Sequence, residues 1–303
     1  MPTRVIRAGY GAPVDPSHFP DPHALDARAG LSLVHELLVG RRTAVLTGAG
    51  VSTGSGIPDY RGPDAKPRNP MTYQEFMRSV DNRRHYWARN QYGWRFVAEA
   101  RPSAAHEALA RLETAGAVDG VVTQNIDLLH QKAGSLAVVD LHGTYAWVVC
   151  TACGSRFPRE EVSRYLDELN PGFYDGLTHA AQVEYAPDAD ATVEETGGFR
   201  VWDCPVCQGV LKPDVVFFGE SARPRNVALA RRMVERAGAL LVVGSSLTVN
   251  SGRRFVRQAA RQDIPVVIVN HGVTAGDAFA ALKVDAPVGE FLTSLEALLV
   301  PGS

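Results

Sequence analysis

The chain is poor in lysine and cysteine and has no long apolar run, and each shortage removes a class of function. Of 31 basic residues only Lys66, Lys132, Lys212 and Lys283 are lysine, and the formal charge is −2 with no basic stripe. No nucleic-acid partner is therefore expected, because such binding rests on phosphate neutralisation. No stretch approaches the ~20 apolar residues that span a bilayer, so no membrane partner is expected either. Arg4 and Arg7 precede the first acid, Asp15, without an apolar signal core behind them. Residues 1–22 read as a flexible tail, and the protein as soluble and cytoplasmic. The 303 residues, 45% hydrophobic, suffice for a large core, as one domain or as a large one with a small companion.

The four cysteines fall in two pairs, Cys150-x-x-Cys153 and Cys204-x-x-Cys207. A C-x-x-C turn aims two thiolates at one centre, and two such knuckles make a tetrahedral site for zinc. Disulfides would need an oxidising compartment that no secretion signal supports. A redox pair would need a single reactive C-x-x-C. With all four positions filled by protein, the expected ion is structural, holding together a module too small to fold on its own core.

The most informative stretch is 48–62, GAGVSTGSGIPDYRG. It follows Thr43–Thr47 (TAVLT), which has the character of a buried strand. Gly48 and Gly50 let backbone amides approach a phosphate, as in dinucleotide sites. Two parts of the usual dinucleotide fingerprint are missing. Thr53 stands where the third glycine belongs, and no acid follows about 20 residues on to hold the adenosine ribose. Pro58, Asp59, Tyr60 and Arg61 instead set a rigid turn, a carboxylate, a ring and a guanidinium beside the expected phosphates. An ordinary dehydrogenase has no use for that set.

Apolar spacing predicts helices over 24–39, 83–100, 103–115, 224–237, 252–261 and 290–299, and strands over 43–47, 118–123, 138–141, 215–218, 240–243 and 266–269. Residues 62–82 read as a loop over the nucleotide, and 171–200, with Asp188, Asp190, Glu194 and Glu195, as a solvated insertion. The alternation implies an α/β fold with a Rossmann-like parallel sheet covered on both faces, plus a smaller zinc-ribbon and helical module. Ligands on such sheets lie at the carboxyl ends of the strands. Here those ends carry Gly48–Gly50, Gln124-Asn125, His142, Gly244–Ser246 and Asn270.

Taken together, GAGVSTGSGIPDYRG (48–62), TQNIDLLHQKAG (123–134), LHG (141–143), the two cysteine pairs, LKPDVVFFGE (211–220) and GSSLTVNSG (244–252) resemble the sirtuins, NAD-dependent protein-lysine deacylases. The likeness runs over about 25–300. YWARN at 86–90, LNP at 169–171 and APD at 186–188 are similar to the class II, sirtuin-four branch. The resemblance implies a Rossmann-like part (23–62, 103–145, 211–303), a helical module (63–102) and a zinc module (146–210). It places Gly48, Ala49, Gly50, Ser52, Asp59, Tyr60 and Arg61 around the phosphates and nicotinamide end of NAD. Gln124, Asn125, Ile126 and Asp127 would line the nicotinamide ribose and pocket. Gly244, Ser245 and Ser246, with Asn270, His271 and Gly272, would hold the adenosine side, and Val288 would touch the adenine.

His142 matches the family's catalytic base, with Asn125 and Asp127 beside the departing ring. In the family mechanism the acyl-lysine carbonyl oxygen attacks C1′ of the nicotinamide ribose and nicotinamide leaves. The histidine then helps deprotonate a ribose hydroxyl, which captures the acyl carbon and leads to free lysine and O-acyl-ADP-ribose. Histidine suits that proton transfer near neutral pH. Val215, Val216, Phe217 and Phe218 would pair with an acyl-lysine peptide partner. Tyr86 and Arg89 share a helix face and resemble the sirtuin-five pair that binds acidic acyl chains, which leaves acyl preference open. Other classes remain to be weighed: a mono-ADP-ribosyltransferase would label protein, a non-catalytic sensor would release no nicotinamide, and an oxidoreductase would change nicotinamide absorbance. On residue type alone His85, His106, His130, His179 and His271 read as structural, and only the resemblance sets His271 beside the adenosine.

Overall fold

The β-branched runs build two sheets. The computed structural model describes residues 24–61, 69–175, 186–193 and 195–300. Its strands are Thr43–Thr47 (β1), Val118–Thr123 (β2), Val138–Asp140 (β3), Gly143–Cys150 (β4), Arg156–Pro158 (β5), Leu211–Val215 (β6), Ala239–Val243 (β7), Val266–Val269 (β8) and Leu282–Val284 (β9). Its helices are Ala27–Leu38 (α1), Tyr73–Arg78 (α2), Val80–Glu99 (α3), Ala104–Thr114 (α4), Leu129–Lys132 (α5), Arg159–Leu169 (α6), Pro224–Arg236 (α7), Asn250–Arg261 (α8) and Val288–Leu299 (α9).

Six strands form a parallel sheet in the order β3-β2-β1-β7-β8-β9. Alternate residues serve opposite faces: Val45, Leu241 and Val267 pack against α1, α4 and α9, while Leu46, Leu240 and Ile268 pack against α7 and α8. Both faces are dry, which is why these strands read as continuous apolar runs. The chain builds outward from β1 in one direction and resumes at β7 in the other. Strand order therefore reverses between β1 and β7, where such sheets open a crevice.

The second sheet, β5-β4-β6, is antiparallel. It was hidden from sequence reading because β4 mixes Gly143, Thr144, Tyr145 and Trp147 without clean alternation. A third core packs it against α3 and α6, with Tyr86, Trp87, Trp94, Tyr145 and Phe217 among its members. No helix among the described residues is long and apolar enough to cross a membrane.

Three expectations are corrected. The strand expected at 215–218 ends at Val215: Val216 N still follows the register beside β4, bonding His142 O at 2.7 Å, but Phe217 N turns away to Glu220 Oε2 at 2.7 Å. Residues 69–82 are not all loop. Thr72 and Glu75 form a reciprocal capping box that starts α2, and Ser79 caps α3; residues 62–68 lie outside the described ones. In the insertion expected to be solvated, Ala189, Ala191, Val193 and Phe199 are buried, and Gly93 on α3 leaves room for the Ala189 carbonyl, which a Cβ would meet at 2.0 Å. Residues 176–185 and 194, with His179 and Glu194, lie outside the described residues, as does the tail at 1–22.

Candidate active site and zinc centre

At the switch point the ends of β1 and β7 touch through glycines. A Cβ on Gly50 would lie 2.9 Å from the Gly244 Cα, and one on Gly48 2.8 Å from the Ser245 Cβ. Gly244 itself has φ +58°, a conformation that costs other residues about 1–2 kcal/mol. Its carbonyl accepts from Gly50 N at 2.9 Å, and Val243 O accepts from Gly48 N at 3.2 Å. After the turn the chain makes two short 3-10 turns, Ala49–Val51 and Thr53–Ser55, where a long helix is usual. Gly56 at φ +82° and Pro58 stop any longer helix.

Beneath the turn the polar side chains bond one another. Ser52 Oγ donates to Asp127 Oδ2 at 2.6 Å, and Leu129 N donates to Asp127 Oδ1 at 2.9 Å. Burial pushes the Asp127 carboxyl up, and these hydrogen bonds oppose it. Asn125 Nδ2 donates to Gly48 O at 3.0 Å and to Ser52 Oγ at 2.9 Å. Gln124 Nε2 donates to Ser245 Oγ at 2.7 Å and to Thr47 O at 3.2 Å. The ends of β1, β2 and β7 are thus tied together by side chains, each bond worth ~0.5–1.5 kcal/mol net.

His142 follows β3, and its surroundings fix its tautomer. Nδ1 lies 2.9 Å from the Gln124 carbonyl, which only accepts, so Nδ1 carries the proton. Nε2 then offers its lone pair, which accepts from Ser251 Oγ at 2.7 Å. Burial holds the imidazole below its ordinary value, with the backbone bond to Gln124 opposing and the nearby Arg254 charge adding. His142 is therefore a neutral base at neutral pH.

One cavity of about 1010 Å³ opens on all these groups. It gathers Gly48, Ala49, Gly50, Ser52, Asp59, Tyr60, Arg61, Gln124, Asn125, Ile126, Asp127, His142, Gly244, Ser245, Ser246, Asn270, His271 and Gly272, together with Val215, Val216, Phe217, Phe218, Tyr86 and Arg89. Val288 does not line it and packs instead against the core of α1, α4 and α9. Asn270 Nδ2 donates to His271 O at 2.7 Å, and His271 Nδ1 lies 2.9 Å from Asp285 Oδ1. Ser251, Asp188 and Asp190 also line the cavity and were missed. Residue type gave no signal for Ser251, and the two acids sat in a segment that looked solvated.

Away from the crevice the four cysteines are free thiols whose sulfurs lie within 4.8 Å of one another. Cys150 and Cys207 Sγ are 3.5 Å apart, and Cys153 and Cys204 Sγ 3.8 Å. Four ligands at ~2.3 Å from zinc stand about 3.8 Å apart in a tetrahedron, so the set fits zinc. The knuckles sit at the end of β4 and in the turn before β6, with Cys150 and Cys204 buried in the aromatic core.

A doubly wound sheet, a glycine-lined switch-point crevice and an antiparallel ribbon with four clustered cysteines define a nucleotide-binding type of α/β fold with a lobe built to hold zinc. The chain belongs to the Sir2 family, which matches over residues 48–251. It is 53% identical over 265 residues to NAD-dependent protein deacetylase 1 of Mycobacterium avium (strain 104), covering 88% of this chain and 94% of that protein. It is 52% identical over 253 residues to NAD-dependent protein deacetylase 1 of Streptomyces coelicolor, covering 83% and 84%. Among solved structures, one described as the structural basis for the mechanism and regulation of Sir2 enzymes aligns with TM-score 0.71 and 29% identity over 90% of this chain and 98% of that one. A Sir2–p53 peptide–NAD+ complex aligns with TM-score 0.62 and 31% identity over 87% and 95%.

Proposed function

We propose that this protein is an NAD-dependent protein-lysine deacylase that releases nicotinamide and O-acyl-ADP-ribose. The observation that carries the reading is His142: a neutral imidazole with its proton on Nδ1 and its Nε2 lone pair toward the cavity that holds the glycine turn. Two relatives at 53% and 52% identity bear the name deacetylase, and that activity is carried to this chain on that identity and on the geometry of its own site.

Each residue then has a physical task. Gly48, Gly50 and Gly244 bring backbone against a pyrophosphate, and Arg61 supplies positive charge. Asn125 and Asp127, locked by Ser52, orient the nicotinamide end. A sugar losing its base is oxocarbenium-like, so fixed dipoles and water exclusion count for more than a strong nucleophile. Nε2 of His142 takes the proton of a ribose hydroxyl once Ser251 gives up its bond. Val215 to Phe218 borders the acyl-lysine peptide. Zinc, where bound, supplies structure only; its cysteines lie outside the cavity lining.

We assign the chain to the class II, sirtuin-four-like branch on YWARN, LNP and APD, and place it in the cytoplasm, where zinc thiolates persist. The division into a Rossmann-like part, a helical module and a zinc module remains part of this reading.

The test is incubation with NAD and acetyl-lysine peptide, following nicotinamide and deacylated peptide by mass spectrometry. His142→Ala should lower turnover by at least about a hundredfold, the usual share of a general base, while zinc content stays unchanged. Turnover unaffected by that substitution refutes the assignment of the base. ADP-ribose transferred to protein in place of O-acyl-ADP-ribose refutes the deacylase reading in favour of a mono-ADP-ribosyltransferase.

A further inference from the structure

Beyond His142 the cavity runs along one wall that can be followed residue by residue. His142 O holds Val216 N, and the Phe217 ring packs on the Tyr86 ring at 4.9 Å between centroids. One turn further along α3 stands Arg89, which also lines the cavity. This cation faces the space that an acyl chain entering past Phe217 would reach. A guanidinium there is suited to fork onto a carboxylate.

That guanidinium is already engaged at every nitrogen. Its NH2 donates to Asp190 Oδ2 at 2.6 Å, its Nε to the Ala191 carbonyl at 2.9 Å, and its NH1 to His85 Nε2 at 3.0 Å. His85 is held in turn by Thr196 Oγ1 at 3.0 Å from Nδ1. Burial and the Arg89 charge keep that imidazole below its ordinary value, hence neutral and able to accept. Three of these four partners come from 190–196, in the segment whose sequence reads as a solvated loop. Buried Ala189 and Ala191 anchor it on either side of Asp190. Asp188 lines the same cavity, so an incoming carboxylate would have to displace one acid and lie beside two.

We propose that Asp190 is a specificity-determining residue: by occupying Arg89 it makes the acyl end of the cavity accept uncharged chains and turn away chains ending in a carboxylate. This rests on the deacylase reading and adds to it the class of acyl group removed. Displacing a half-buried ion pair in order to bury another acid leaves a carboxylate without its counter-charge, the unfavourable exchange at any such site. Neutralising residue 190 reverses it, because Arg89 then needs an anion.

The experiment uses the full chain, NAD and one peptide carrying butyryl-lysine or succinyl-lysine, which match in chain length and differ in charge. The parent should favour butyryl by about tenfold or more in kcat/KM. Asp190→Ala should move the succinyl-to-butyryl ratio toward succinyl by about tenfold, mainly through a lower KM for succinyl. Asp190→Asn should fall between, and adding Arg89→Met to Asp190→Ala should cancel the gain, which a merely structural effect would not do. The ratio is internal to each variant, so a general loss of activity does not mimic the result, and Asp190→Asn serves if Asp190→Ala does not fold. A parent that removes both chains equally well, or a ratio unmoved in both variants, overturns the inference and leaves the deacylase reading standing. A parent that releases nicotinamide with neither peptide refutes that reading and this inference with it.

Discussion

Two buried histidines make the fold acid-sensitive directly under the glycine turn. His106 and His130 stand edge to face with ring centroids 4.7 Å apart, and both are buried. His106 Nδ1 accepts from Ser103 N at 3.1 Å, Ser103 Oγ donates to Val51 O at 2.9 Å, and His130 Nε2 lies 2.9 Å from Thr47 Oγ1. Burial lowers His130 to about 4. Burial, then the His130 charge, lowers His106 to about 2. A base whose folded pKa is depressed leaves the unfolded chain as the better proton binder, so stability is full above about pH 6.5 and falls as pH drops toward the folded values. Each histidine removes ~2 kcal/mol at pH 5 against a few tenths at pH 7, so the pair accounts for ~3–4 kcal/mol of a typical ~5–15 kcal/mol total. Urea unfolding at both pH values reads this as a midpoint lower by roughly 1–2 M at pH 5. His130→Gln should remove about half of that pH-dependent loss, and His106→Gln with His130→Gln nearly all of it, whatever the substitutions cost at pH 7. A double variant that loses as much stability between pH 7 and pH 5 as the parent refutes the reasoning.

Two further outcomes follow from geometry. Gly244→Ala places a Cβ 2.6 Å from Val51 N at φ +58°; strain plus overpacking should cost ~2–5 kcal/mol and raise the KM for NAD, and a Tm and KM both equal to the parent's would show the contact yields freely. Cys204→Ser removes a fully buried sulfur and should abolish stoichiometric zinc by metal analysis and lower Tm by more than about 10 °C, whereas a metal-free chain with unchanged Tm would show that the ribbon stands on its apolar core.

What was legible in the sequence was whatever local chemistry fixes. The parallel strands announce themselves because both faces are dry, so Ala239–Val243 and Val266–Val269 could hardly be anything else. The cysteine spacing carries its own geometry, and the glycine turn carries its need for close backbone approach. Strand β4 was not legible, because its buried residues do not alternate cleanly along GTYAWVVC. The 186–193 segment misled for a physical reason. Its buried residues are three alanines and Val193, and one of its acids, Asp190, finds Arg89 about a hundred residues away, a pairing that no local periodicity records. Val288 shows the same limit from the other side: its motif position suggested a ligand contact, but at the start of α9 it lies outside the cavity lining, half-buried against the edge of the core.

The polar side chains at the strand ends are bonded to one another, and this bears on how the crevice works. Asn125, Ser52 and Asp127 form one closed set; Gln124 and Ser245 form another; His142 is held at both nitrogens. Leaving such groups unpaired in a half-dry cavity would cost ~1–3 kcal/mol each, so the resting network holds their orientation without ligand. The bonds are not equally replaceable. Nδ1 of His142 is tied to the Gln124 carbonyl and Asp127 Oδ1 to Leu129 N, both backbone groups, while Asp127 Oδ2 accepts from Ser52 Oγ, another cavity-lining side chain. The Ser251 bond to Nε2 joins two cavity-lining side chains, one at the start of α8, and a ribose hydroxyl can take its place atom for atom. On the proposed deacylase reading that exchange frees Nε2, while the bond from Nδ1 to the Gln124 carbonyl keeps the tautomer.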